Sequence, residues 1–338
     1  MDINLLLEHV YANKDLSQDE SHAIFSSLMQ GELSEISISA LLIALKMKGE
    51  SIGEIAGAAS AMIEHAKAFP QPDYAFSDIV GTGGDGHNTI NISSAAALVA
   101  ASCGIKVAKH GNKSVSSKSG SSDLFASFGL NLMMTPDIAR KCLDEANFCF
   151  LAAPNYHAGV KHVMGVRGTL KTRTLFNILG PLANPAKPSH GVYGVYAPEL
   201  LPIYARVLDA LGHKNALVVH GSGLDEVALH GETKAIHLQD GKFTELSFTP
   251  EDFGAKSASL DAIKGGVPEH NKTLIEAVLA GAGETAHRDA IAINAACLLW
   301  TNTPTKSIRE CYEQAINSMQ NGKPLAIMQK AAKLSLEK

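Results

Sequence analysis

Apolar positions in the first seventy residues recur at helical spacing, never at strand spacing. Ala23, Ile24, Leu28 and Met29 form one stripe, and Ile38, Leu41, Leu42, Leu45 and Met47 make a segment apolar nearly all round. Ser17 with Glu20, and Ser51 with Glu54, are spaced as capping boxes, each opening an amphipathic helix. Such helices must bury their stripes on each other. Surface remains to be covered either by the rest of the chain or by a second copy in a homodimer built through this region. Pro70 and Pro72 are expected to end the last of these helices and to mark a hinge.

From Phe76 the pattern changes to apolar runs alternating with helical segments, which predicts a mainly parallel sheet covered on both faces. Strands are expected from Ser77, over Ile105 to Ala108, Phe148 to Ala153, Val192 to Tyr196 and Ala216 to His220. Between them lie a small-residue helix over Ile92 to Ser102, stopped by Gly104, another over Ser122 to Phe128, stopped by Gly129, and one opened by Thr135 and Pro136. Asp240-Gly241 reads as a hairpin turn and Thr249, Pro250 and Asp252 as a short helix start. Amphipathic helices fill Lys272 to Leu279, Glu284 to Trp300, Ser307 to Met319 and Leu325 to Leu336. The fold class is therefore α/β: a large domain with a central, mainly parallel sheet flanked by helices, plus a small all-helical domain.

Composition narrows the function classes. With 338 residues, 46% hydrophobic and 19% charged, the chain has the make-up of a soluble globular protein with a large core. A net charge of −5 leaves no footprint for nucleic acid or an anionic membrane. The five cysteines show no CxxC spacing and are expected to be reduced, and the N-terminus has no basic leader, so the expected location is cytoplasmic.

Candidate chemistry gathers in residues 77–123. Gly81, Gly83, Gly84 and Gly86 free the backbone to aim consecutive N–H groups at an anion. The loop from Lys109 to Ser122 adds three lysines, a histidine, an asparagine and many hydroxyls. Asn91, Ser93 and Ser94 stand at a helix N-terminus, where anions are favoured. Two donor-rich loops after neighbouring strands suit a ligand with more than one phosphate. GTGGDG also fits the dinucleotide fingerprint, but the second strand ends in Lys109 and His110 rather than the acid that would hold a ribose, which disfavours NAD and leaves NADP, compatible with a lysine there, as a distant alternative. A P-loop is excluded by His87 and Asn88 where Lys and Ser/Thr are required.

Two later stretches bear on the same ligand. Residues 155–185 interleave His157, Lys161, His162, Arg167, Lys171 and Arg173 with apolar positions; a solvated basic face and an anion-binding wall both fit. HGSGLDE, after the strand over Ala216 to His220, carries the adjacent carboxylates of Asp225 and Glu226, which suit a magnesium ion bridging phosphate oxygens.

GTGGDG followed by TINIS, then KHGNKSVSSKSGSSD, RTLFNILGPLANP and HGSGLDE, in this order along the whole chain, resemble the signature segments of the anthranilate phosphoribosyltransferase family. That resemblance implies transfer of the phosphoribosyl group of 5-phosphoribosyl 1-pyrophosphate (PRPP) to the amine of anthranilate, in tryptophan synthesis. It implies a small helical domain of residues 1–70 to which 164–188 returns, and a large domain of 71–163 and 189–338. It implies a PRPP site at Gly81, Gly84, Asp85, Thr89, Asn91, Ile92, Ser93 and Ser94, continued by Lys109, His110, Gly111, Asn112, Lys113, Ser114, Val115, Ser116, Ser117 and Ser121. It implies two Mg2+ per monomer at Ser93, Asp225 and Glu226. Anthranilate would meet Gly81, Asn112 and Arg167, with His110, Tyr156 and Arg173 lining its entry; no protein nucleophile or base is implied. Lys113, Ser94, Ala158 and Gly165 depart from the residues common in the family. Two rivals share the architecture: a pyrimidine nucleoside phosphorylase, and a non-catalytic relative that binds nucleic acid.

Overall fold

The computed structural model describes residues 2–113 and 118–337. Four helices open the chain: Ile3–Tyr11, Gln18–Gln30, Glu35–Lys48 and Ile52–Glu64. Both expected capping boxes form, with Ser17 and Ser51 each accepting the N–H of the glutamate three residues on. The second and fourth helices approach so closely that a Cβ at Gly57 would stand 2.3 Å from the Gln18 carbonyl oxygen. The bundle's core of Ile24, Phe25, Leu28, Leu41, Leu42, Leu45 and Ile55, from its second, third and fourth helices, is shared with Val163, Val166, Phe176 and Leu179 from the middle of the chain. The fourth helix ends at Glu64, well before Pro70, so the prolines sit in the irregular connection that follows rather than stopping the helix.

The sheet has seven strands: β1 Ser77–Gly81, β2 Val107–Gly111, β3 Phe148–Ala152, β4 His190–Gly194, β5 Asn215–Gly221, β6 Thr233–Gln239 and β7 Lys242–Phe248. Their order is β3-β2-β1-β4-β5-β6-β7, parallel through β5 and antiparallel from β5 to β7. The β6–β7 hairpin turns at Asp240 and Gly241, both at positive φ as a type I′ turn requires. β7 is largely exposed, so the burial expected on both faces holds for the central strands only.

The direction of chain growth reverses between β1, which leads to β2, and β4. Crevices for ligands open at such a switch point, outside the carboxyl ends of the strands. β2 also runs further than its apolar pattern suggests, through Lys109 and His110 to Gly111. Pairing with β3 carries the polar residues into the sheet, Lys109 opposite Phe150 and His110 opposite Leu151.

Candidate active site

A cavity of about 760 Å³ opens at that switch point, bordered by the ends of β1 and β2, by Asp225 and Glu226 in the loop after β5, by residues 153–164 and by residues 173–181. Its floor is the glycine loop. Gly83, Gly84 and Gly86 all adopt positive φ, which costs glycine little. The loop runs into the helix Ile92–Ser102, whose first turn carries Ser93 and Ser94 to the cavity edge. Unsatisfied N–H groups and the helix dipole make this end attractive to anions.

The acid pair closes one side. Asp225 Oδ2 accepts the Gly83 N–H at 2.5 Å, and Glu226 Oε1 accepts the Ser93 N–H at 3.1 Å. Asp225 lies against the sheet so tightly that a Cβ at Gly81 would be 2.1 Å from its Oδ2, and one at Gly194 1.6 Å from its backbone oxygen. Burial, and then the neighbouring Asp85, push the Asp225 carboxyl above the usual range. Burial and Asp225 do the same to Glu226. Lys109, fully buried, donates its ammonium to the Ile79 carbonyl beneath them; desolvation lowers its pKa while Asp78, Glu226 and Asp225 oppose the drop. Asp78, raised to about 6 by burial, accepts from Asn184 Nδ2 and the His110 N–H.

The opposite wall is drier. His110 and His157 meet edge to face at 5.1 Å, and His110 Nδ1 pairs with the Gly180 carbonyl at 3.2 Å. Desolvation holds both imidazoles below their usual pKa, so both are neutral at pH 7. Arg167 stands with its guanidinium carbon 5.5 Å from the centre of the Phe176 ring.

Gly81, Gly84, Asp85, Thr89, Asn91, Ile92, Ser93, Ser94, Lys109, His110, Gly111, Asn112, Lys113, Ser121, Arg167, Arg173, Asp225 and Glu226 all border this one cavity. Ser114, Val115, Ser116 and Ser117 lie outside the described residues. Tyr156 is the correction: it does not reach the cleft. It ends the helical turn Ala153–Tyr156, and successive helical residues diverge by about 100°. Its ring therefore enters the large-domain core, while His157 takes the place facing the cavity. His157 of the basic run also lines the cleft, as do Asn177 and Tyr196, which the sequence marks only by their nearness to that run and to β4.

Comparison with known proteins gives this cleft a context. The glycosyl transferase family model for the helical bundle domain matches residues 4–66, and that for the a/b domain matches residues 73–325. The anthranilate phosphoribosyltransferase of Psychromonas ingrahamii is 53% identical over 333 residues, 98% of each chain. That of Photobacterium profundum is 54% identical over 327 residues, 97% of this chain and 96% of its own. The chain belongs to the anthranilate phosphoribosyltransferase family. Among solved structures, the anthranilate phosphoribosyltransferase of Thermus thermophilus superposes with a TM-score of 0.94 at 37% identity, covering 98% of this chain and 99% of its own. The Saccharomyces cerevisiae anthranilate phosphoribosyltransferase in complex with PRPP and Mg gives 0.90 at 29% identity, covering 98% and 97%.

In this anthranilate phosphoribosyltransferase family member the acid pair fits magnesium. Two neighbouring carboxylates, Asp225 buried and Glu226 half-buried, are relieved of their repulsion by a divalent ion, and carboxylate oxygen is the donor that a hard cation prefers. Among the described residues no three His, Cys, Asp or Glu side chains converge as a closed cage. A few carboxylates, with water and phosphate oxygen completing the shell, are what magnesium accepts.

Proposed function

We propose that this chain transfers the phosphoribosyl group of PRPP to the amine of anthranilate, giving N-(5-phosphoribosyl)anthranilate and pyrophosphate. One observation carries the reading: two donor-rich segments and an adjacent pair of acids meet in a single cleft at the switch point of the sheet. The loops would hold the diphosphate through Gly81, Gly84, Asp85, Thr89, Asn91 to Ser94, Lys109 to Ser117 and Ser121. Ser93, Asp225 and Glu226 would hold magnesium, two ions per monomer. Bound magnesium would supply positive charge against the pyrophosphate leaving group.

The chain's own groups do the rest by placement. Preorganised N–H donors stabilise charge that gathers on the leaving oxygen. Arg167 and Asn112 would orient the anthranilate carboxylate so that the amine faces C1 of the ribose, on the side opposite pyrophosphate. An aromatic amine is unprotonated at neutral pH, and so no protein base is assigned. Residues 1–70 with 164–188 would close on the remainder and exclude water. The apolar Ile36 and Met47, exposed on the helix Glu35–Lys48, support a homodimer through this region. No helix among the described residues is long and apolar enough to cross a membrane; the working location is the cytoplasm.

Titration calorimetry with PRPP, with and without Mg2+, tests the reading together with anthranilate consumption and pyrophosphate release. Mg2+-dependent PRPP binding and turnover are expected. No affinity for PRPP in Mg2+, or phosphorolysis of thymidine in its place, would overturn it.

A further inference from the structure

The donor-bearing wall of the cleft is held from behind by a residue that does not line it. Asn271 lies in the first turn of the helix Pro268–Leu279 and is fully buried. Its Oδ1 accepts the Gly266 N–H at 2.6 Å, and its Nδ2 donates to Asn91 Oδ1 at 2.9 Å. Asn91 in turn donates its Nδ2 to the Ser119 carbonyl at 3.0 Å and accepts the Ser119 hydroxyl at 3.2 Å.

Both amides have their orientation dictated by the main chain. A backbone N–H at Gly266 requires the oxygen of Asn271, and a backbone carbonyl at Ser119 requires the nitrogen of Asn91. The remaining pair, Asn271 nitrogen to Asn91 oxygen, then has only one polarity. A strap of chain makes room for it. Gly265 donates its N–H to the Asn88 carbonyl, Ile90 donates to Ile263, and a Cβ at Gly265 would stand 2.6 Å from Asn271 Oδ1.

We propose that Asn271 is a positioning residue for diphosphate binding: it orients Asn91, and through Asn91 it sets the spacing between the glycine loop and the Ser119–Ser121 segment. The proposal rests on the PRPP reading of the cleft. A merely structural role would run through Gly266 alone. Asn271→Asp separates the two, because a carboxylate still accepts from Gly266 but cannot donate to Asn91.

The test measures PRPP binding by calorimetry in Mg2+, and KM for both substrates, in Asn271→Asp, Asn271→Ala, Asn91→Ala and the Asn91→Ala/Asn271→Ala double variant. Loss of one buried hydrogen bond predicts a rise of about fivefold to tenfold in the PRPP KM and Kd for both Asn271 variants. The anthranilate KM should move less than about twofold, and Asn271→Ala should add less than about twofold once Asn91 is gone, since the two act as one unit. In ligand-free protein, hydrogen exchange at the Ser121 and Ser122 amides should quicken in Asn271→Asp. If Asn271→Ala does not fold, Asn271→Asp carries the test. Wild-type PRPP affinity in Asn271→Asp, multiplying effects in the double variant, or unchanged exchange would overturn the proposal. Absence of PRPP binding by the wild type would overturn the function reading instead, leaving the exchange measurement to judge Asn271.

Discussion

The guanidinium carbon of Arg173 stands 4.0 Å from the centre of the Tyr196 ring, and its Nη2 donates to the Gly84 carbonyl at 2.6 Å. One planar cation thus ties the chain following β4 to the glycine loop. The helical bundle joins the same contact one residue away, where the Lys46 ammonium donates to the Thr172 hydroxyl. Arg173→Lys keeps the charge but neither the flat stack nor the geometry of the donor. Losing a charge-assisted bond and a stack predicts PRPP affinity lower by about tenfold or more, with the melting temperature little changed. Binding titrations beside thermal scans check this; wild-type affinity in the lysine variant refutes it.

Gly194→Ala would place a methyl group 1.6 Å from the Asp225 backbone oxygen, a separation no repacking of a side chain relieves because the obstacle is main chain. The expected result is displacement of the acid pair and loss of Mg2+-dependent turnover. Gly83→Ala meets no atom within 4 Å and strains only its own backbone, so it should be the milder of the two. Parallel assays of the two alanine variants decide between them.

Asp225→Asn with Glu226→Gln removes two carboxyls whose pKa values lie above their unfolded values. For such acids the folded state holds its protons more tightly, so ionisation at neutral pH opposes folding. The double variant should therefore melt higher than the metal-free wild type while losing Mg2+-dependent turnover and any Mg2+-induced rise in melting temperature. Retained turnover would mean that the acids serve no metal.

Arg167 borders the cavity beside Phe176, and burial lowers its pKa. Arg167→Ala should raise the anthranilate KM by about tenfold or more, the order expected for a charge-assisted contact, and leave the PRPP KM nearly unchanged. Equal changes in both constants would assign Arg167 to the wall rather than to the substrate.

His213, half-buried, packs edge to face against Tyr193, and desolvation, followed by the nearby His190, lowers its pKa to about 4. An unfolded histidine titrates near pH 6.5, so between about pH 6.5 and 4 the unfolded chain binds the extra proton and stability falls as pH falls. His213→Phe should flatten the acid limb of the melting temperature against pH, by an amount on the order of 3 kcal/mol at most. An unaltered slope would show that His213 carries none of it.

Much of this architecture could be read along the chain because its determinants are local. Ser17 with Glu20, Gly83 and Gly84 in the turn after β1, and Asp240-Gly241 each state their geometry within a few residues. What escaped depends on distance or on a single rotation. Lys109 reads as a loop donor until pairing with β3 draws it into the sheet, and Tyr156 trades places with His157 across one peptide. Asn271 acts on a partner 180 positions earlier, and no spacing rule reaches that far.

The strap over residues 263–266 bears on how the molecule comes into being during synthesis. The glycine loop is translated early, yet two of its main-chain bonds go to Ile263 and Gly265, and the helix that follows it packs on Thr285–Asn302. A nascent chain short of its final quarter lacks those partners. Competence to hold a sugar diphosphate is thus acquired last, as the carboxyl-terminal helices leave the ribosome, and a truncated product should accumulate as a protein without a working cleft.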